Sequence, residues 1–198
     1  MLNQEFDILM DEFAVPILLN NETKERKAII SHQKQSDSLP NFDEKTISCN
    51  FKIKRGDVIK YEGVEYLIIS DIQSKRGFKY KATIRPMENE FNLKYMTDGY
   101  FEEYDPLGNP IWIEEPEEVI VDLPCIAYQD GSSFLELGGK INIPDDRVKV
   151  IMPDDEYANQ IELNSEHYLL ENYYRVNNID LFQNGLRIFN MEQIQSSR

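Results

Sequence analysis

The chain has 198 residues, enough for one large domain or two small ones with a real core. Its 21 Lys+Arg against 36 Asp+Glu leave a net charge of −15, which argues against wrapping a nucleic acid by charge neutralisation. Hydrophobic residues at 41% and aromatics at 11% exclude wholesale disorder, and no apolar run reaches the roughly 18 residues of a membrane-spanning helix.

The N-terminal stretch MLNQEFDILMDEF is acidic and lacks the basic start and long apolar core of a signal peptide. The expectation is a product that stays where it is made or leaves by a route other than secretion. Within it, Phe6, Leu9, Met10 and Phe13 recur at helical spacing, so Gln4 to Phe13 reads as a short amphipathic helix. Either it docks on the rest of the chain or it serves as a partner-binding arm.

Beyond the helix the helical period disappears. Val15 to Leu19 and Lys27 to His32 flank Asn20-Asn21-Glu22-Thr23 and read as two strands and a turn. Residues 33 to 45 are polar and read as a loop. Thr46 to Ile53 alternates, with Ile47, Cys49, Phe51 and Ile53 on one face. Val58 to Tyr61 and Val64 to Ile72 are strands around the tight turn Glu62-Gly63. Phe78, Tyr80, Ala82 and Ile84 alternate up to Pro86. Short strands at this spacing indicate a small barrel or sandwich.

Residues 88 to 118 carry ten acidic residues and one lysine, yet also Phe91, Tyr95, Tyr100, Phe101, Tyr104, Ile111 and Trp112. The segment reads as an extended arm or long hairpin that covers something. Strand candidates then resume: Val119 to Gln129, Ser133 to Leu137, Arg147 to Met152, His167 to Leu170, Tyr173 to Ile179 and Leu186 to Met191.

The two halves share an order of elements. Gly56 to Ile72 parallels Ser165 to Asp180, each a short apolar strand, an acidic turn and a strand opening on Tyr. Tyr66 precedes Gly77 by eleven residues, as Tyr174 precedes Gly185. The fold expected is all-β: two small β-barrel domains, SH3-like or sandwich, built by duplication of one unit. The expected divisions are 1–87 (first barrel with the N-terminal segment), 88–118 (acidic aromatic arm) and 119–198 (second barrel).

Charge divides unevenly. Residues 51 to 85 hold nine Lys/Arg and four Asp/Glu, a balance of +5 against −20 elsewhere. A basic barrel face beside an acidic arm suggests complementary surfaces, within the chain or between copies; the plainer reading is an ordinary solvated strand face. The candidate interface residues are Tyr95, Tyr100, Phe101, Glu102, Glu103 and Trp112 on the arm, and Lys52, Lys54, Lys79 and Lys81 on the barrel.

Catalytic signatures are absent. No phosphate-binding glycine loop, nucleophile elbow or zinc-protease helix is present. Ser31 neighbours His32, and Ser165 stands two before His167, but neither pair implies a third member. Cys49 and Cys125 are distant and read as buried apolar residues, not a disulfide or metal pair. Asp145-Asp146, Asp154-Asp155-Glu156 and Glu114 to Glu118 have no calcium-loop spacing and read as solvated turns. Arg55-Gly56-Asp57 matches the integrin tripeptide, but serves a hairpin. No catalytic residue, cofactor or metal is expected.

Lys54 to Ile69 and Asn164 to Met191 carry a resemblance to the small β-barrel head-closure and head–tail connector proteins of tailed bacteriophages. The shared pattern is a Gly-Asp-apolar strand, a Gly turn and a Tyr-led strand, then a Tyr-x-Val-x-x-Ile-Asp…Gly hairpin. It covers about half the chain. The doubling, the N-terminal segment and the arm depart from it. The resemblance implies a non-enzymatic virion structural protein, assembled in the host cytoplasm. It would form a ring with copies of itself between portal or connector and tail proteins. DNA would pass nearby without specific binding, and no membrane is involved. The alternatives are a soluble β-barrel adaptor that binds a protein partner through the arm, and a carboxylate–metal hydrolase.

Overall fold

A computed structural model describes residues 2–32, 43–75, 77–129 and 147–194. The expected strand at Ser133 to Leu137, the turns at 138–139 and 144–146, and most of the loop at 33–45 lie outside the described residues. So does Asp145-Asp146.

Helix α1 spans Leu2–Phe13. It lies on the first sheet through Phe6 and Met10, both buried. Ile8, Leu9 and Phe13 face outward. The docked reading of the segment therefore holds, but on a narrower face than the spacing suggested: one i,i+4 pair carries the contact.

The first sheet comprises β1 (Val15–Leu19), β2 (Arg26–His32), β3 (Lys45–Cys49), β4 (Val58–Tyr61), β5 (Val64–Ile68), β6 (Gln73–Lys75) and β7 (Lys79–Pro86). Pairing of β3 with β7, and of β1 with β4, closes six of these strands into a barrel, with β6 appended to β7. Alternation explains the inward faces. Ile47 and Cys49 of β3 and Ala82 and Ile84 of β7 are buried, while Lys81, one residue before Ala82, is exposed. The β1–β2 turn places Asn20 and Asn21 at positive φ, a conformation Asn tolerates well. Asn20 also ties the turn to the start of β4: its amide donates to Asp57 (2.9 Å) and its carbonyl accepts from the Val58 N–H (2.8 Å).

The second barrel comprises β8 (Asn89–Met96), β11 (Glu118–Gln129), β12 (Arg147–Pro153), β13 (Glu166–Leu169), β14 (Asn172–Asp180) and β15 (Leu186–Gln193). A single 3₁₀ turn, Ala158–Gln160, bridges β12 and β13. Between β8 and β11 stand β9 (Tyr100–Tyr104) and β10 (Pro110–Glu114), paired to each other as a separate two-stranded sheet.

The barrels share one topology. Around the first, neighbours run β1-β2-β3-β7-β5-β4 and back to β1; around the second they run β8-β11-β12-β15-β14-β13 and back to β8. Setting β8 against β1 makes the orders identical. This corrects the place of the arm. Residues 89 to 96 are a stave of the second barrel, paired to β11 from Asn89↔Cys125 to Met96↔Glu118. The β9–β10 hairpin is a long counterpart of the short Asn20-Asn21 turn. It is an insertion within the second barrel, not a connector between barrels.

Each barrel has its own core. Ile17, Ile47, Ile59 and Ile84 lead the first, and Phe91, Leu93, Val150 and Phe189 the second. A third cluster, Leu67, Met87, Ile126, Ile151 and Leu186, joins them. Leu67 and Ile151 sit in strands that lose their alternation, because Tyr66-Leu67-Ile68 and Val150-Ile151-Met152 are buried on both faces. At the same junction the backbones of Gly56 and Gly185 touch. A Cβ built on Gly56 would overlap the Gly185 carbonyl oxygen, and one on Gly185 would overlap the Arg55 carbonyl oxygen.

Candidate assembly surfaces

The hairpin is held by its own aromatic residues. The Phe101 ring meets Tyr104 at 5.0 Å and Trp112 at 5.2 Å, both edge-on. Trp112 and Pro116 close over Gly99, where a side chain would not fit. At the tip, Asp105 accepts the Leu107 and Asn109 backbone N–H groups at 2.8 Å. The Asn109 side-chain amide, joined by these N–H groups, holds its carboxyl below the ordinary value. Tyr100 donates its hydroxyl to Glu102 at 2.8 Å, and this bond raises the phenol above its usual value. Glu102 and Glu103 are exposed, as are Tyr104, Leu107, Ile111 and Ile113. Tyr95 stands apart from these residues: it lies on β8 and packs half-buried against the second core.

On the first barrel, Lys81 and Lys79 share the outward face of β7, with Lys75 of β6 directly opposite Lys79. Lys79 is already engaged, its Nζ 4.7 Å over the Phe6 ring of α1. Lys52 and Lys54 are exposed on the segment that leaves β3, whose last residue Cys49 pairs with Tyr80. Among the described residues no ion pair joins Lys52, Lys54 or Lys81 to a carboxylate.

The remaining chemistry is sparse. Cys49 and Cys125 are both free and buried; burial pushes their thiols up to about 11 and about 12. Arg55-Gly56-Asp57 is consumed by the junction turn, with the Asp57 carboxylate accepting from Asn20 and from the Lys54 N–H at 2.7 Å. Among the described residues no three of His, Cys, Asp or Glu are grouped to hold a metal.

Of the two Ser/His neighbours noted in the sequence, Ser165 and His167 meet in the fold. Ser165 Oγ lies 2.7 Å from His167 Nε2 and 2.6 Å from the Glu162 carbonyl. The buried imidazole packs 4.7 Å from the Phe91 ring. His167 is among the residues that line an open cleft of about 770 Å³, with Lys94, Thr97, Asp98, Gln160 and Glu162. The signal was the i,i+2 spacing, which puts both side chains on one face when the chain is extended. Burial lowers the His167 value from 6.5, partly offset by a backbone hydrogen bond at Asn92. A base with a depressed folded value binds fewer protons than the unfolded chain. Its stabilising effect is therefore complete above about 6.5 and lost as pH falls toward the folded value. Melting curves at pH 7.5 and 5.5 check this: the wild type loses midpoint on acidification, and His167→Phe loses less. An equal loss in both would show that His167 does not set the slope.

Two family models match the chain. One, described as the YomX N-terminal domain, matches residues 1–86; the other, the YomX C-terminal domain, matches residues 89–192. No curated protein and no solved structure matches. The model boundaries fall between β7 and β8, where the two barrels meet.

Proposed function

We propose that this chain, which belongs to the phage-derived YomX family, is a non-enzymatic virion protein that forms a ring at the head–tail junction and lets DNA pass. The observation that carries the reading is the β9–β10 hairpin. Both barrels are closed and satisfy their own strand edges, whereas among the described residues the hairpin strands pair only with each other and carry exposed large apolar side chains. A lone two-stranded hairpin is marginal in water, so this one gains from a neighbour. The net charge of −15 also suits a wall past which DNA slides, since an acidic surface repels phosphates.

Imaging of purified particles with the protein tagged tests the reading. A ring of discrete copy number between head and tail is expected. Absence of the protein from particles overturns it; capture of a single copy with a non-virion partner would then support the adaptor reading. Metal-dependent turnover of a substrate would remove the non-enzymatic part.

A further inference from the structure

We infer that the β9–β10 hairpin of one copy docks on the lysine face of the first barrel of the next copy. The inference deepens the ring reading and rests on it for its biological setting.

The strand edges point to the two surfaces. Every barrel strand has a neighbour on both sides; among the described residues β6 is paired on one side only, and β9 and β10 pair only with each other. One free edge, β6, sits in a basic setting. Lys75 lies directly opposite Lys79, and Lys81 is next along the same outward face. Like charges directly opposite across strands destabilise the pair, so this face is improved by an incoming carboxylate. The other free edges are acidic. From residue 97 to 117 the chain has Asp98, Glu102, Glu103, Asp105, Glu114, Glu115 and Glu117, and no Lys or Arg.

The charges match, and among the described residues no ion pair joins these lysines to the hairpin. A second copy supplies the missing partner. The contact is heterologous, because the two patches differ. Such contacts repeat head to tail and close into a ring when the rotation permits. Exposed Tyr104, Ile111 and Ile113 supply apolar area at the centre, and the carboxylates and lysines set orientation and register.

Carbodiimide cross-linking of the full chain, with isotope-labelled and unlabelled copies mixed, tests the contact in solution and in purified particles. Intermolecular links from Lys52, Lys54, Lys75 or Lys81 to Glu102, Glu103, Glu114 or Glu115 are expected. Reversal of three lysines (Lys52→Glu, Lys54→Glu, Lys81→Glu) is expected to weaken self-association at least about tenfold at low salt. Reversal of Glu102→Lys, Glu103→Lys and Glu114→Lys does the same, and mixing the two variants restores association. All six positions are exposed, and circular dichroism confirms that each variant folds. An oligomer that ignores both reversals overturns the inference, as does a chain with no such links in solution or in particles. In those cases a ring in particles keeps the functional reading. Conversely, arm-to-lysine links in a protein absent from particles keep the contact and remove the virion role.

Discussion

Gly56→Ala lowers folding stability by on the order of 3 kcal/mol and the thermal midpoint by about 6–12 °C. Two costs combine. Gly56 sits at φ +87°, where any side chain is strained, at about 1–2 kcal/mol. Its missing Cβ is also where the Gly185 carbonyl lies, so the junction must open to admit a methyl group. Gly63→Ala separates the two. Gly63 has nearly the same φ, +81°, but nothing within 4 Å of the added Cβ, so only the backbone cost of about 1–2 kcal/mol applies. Gly185→Ala should match Gly56→Ala, and the double variant should cost less than the sum, because one contact is lost twice. If Gly56→Ala behaved like Gly63→Ala, the two barrels would not be held by close backbone approach. The loss should also blur the buried cluster of Leu67, Met87, Ile126, Ile151 and Leu186, seen as a split of one melting transition into two.

The all-β fold and its doubling were legible because the barrel interiors keep a strict two-residue period. Ile47 and Cys49, or Val148, Val150 and Met152, need only alternation to be placed inside. The junction was less legible. Its residues break that alternation, and an apolar run such as Tyr66-Leu67-Ile68 reads equally as a buried strand of one barrel. What it marks is a strand covered on its outer side by the other barrel. The position of β8 was hidden for a different reason. Asn89-Glu-Phe-Asn-Leu-Lys-Tyr-Met96 alternates cleanly, with Phe91 and Leu93 inward and Lys94 outward, but it opens an acidic stretch and was grouped with it. Charge reports on partners and solubility, whereas period reports on fold. Where the two disagree about a boundary, the period is the better guide. The candidate surface residues show the same division. Composition singles out Tyr95, which packs half-buried against the second core, together with Phe101 and Trp112, which do form the hairpin cluster. The engagement of Lys79 by Phe6 was not readable at all, because it depends on where α1 lands.

Phe91→Ala decides whether β8 is a stave of the second barrel, and it is expected to cost about 3–5 kcal/mol. The ring is fully buried, stacks on Phe189 at 6.4 Å and covers His167 at 4.7 Å. Truncation leaves a cavity in a closed barrel whose walls are tied by β8–β11 pairing on one side and a single β8–β13 bridge, Asn92↔Tyr168, on the other. The weak seam lies beside the cavity, so the second barrel should lose its cooperative transition while the first keeps its own. Phe101→Ala is the control, because it removes a ring from the hairpin cluster and should cost about 1 kcal/mol. The two substitutions delete the same atoms from segments of similar composition, ten residues apart, so only the surroundings differ. Chemical denaturation gives the two energies. A second readout comes from His167: without the Phe91 ring, water reaches the imidazole and its value climbs back toward 6.5, so the loss of stability on acidification becomes shallower. Equal small costs for Phe91→Ala and Phe101→Ala, with an unchanged pH slope, would return residues 89 to 96 to the arm and leave the second barrel open at that seam.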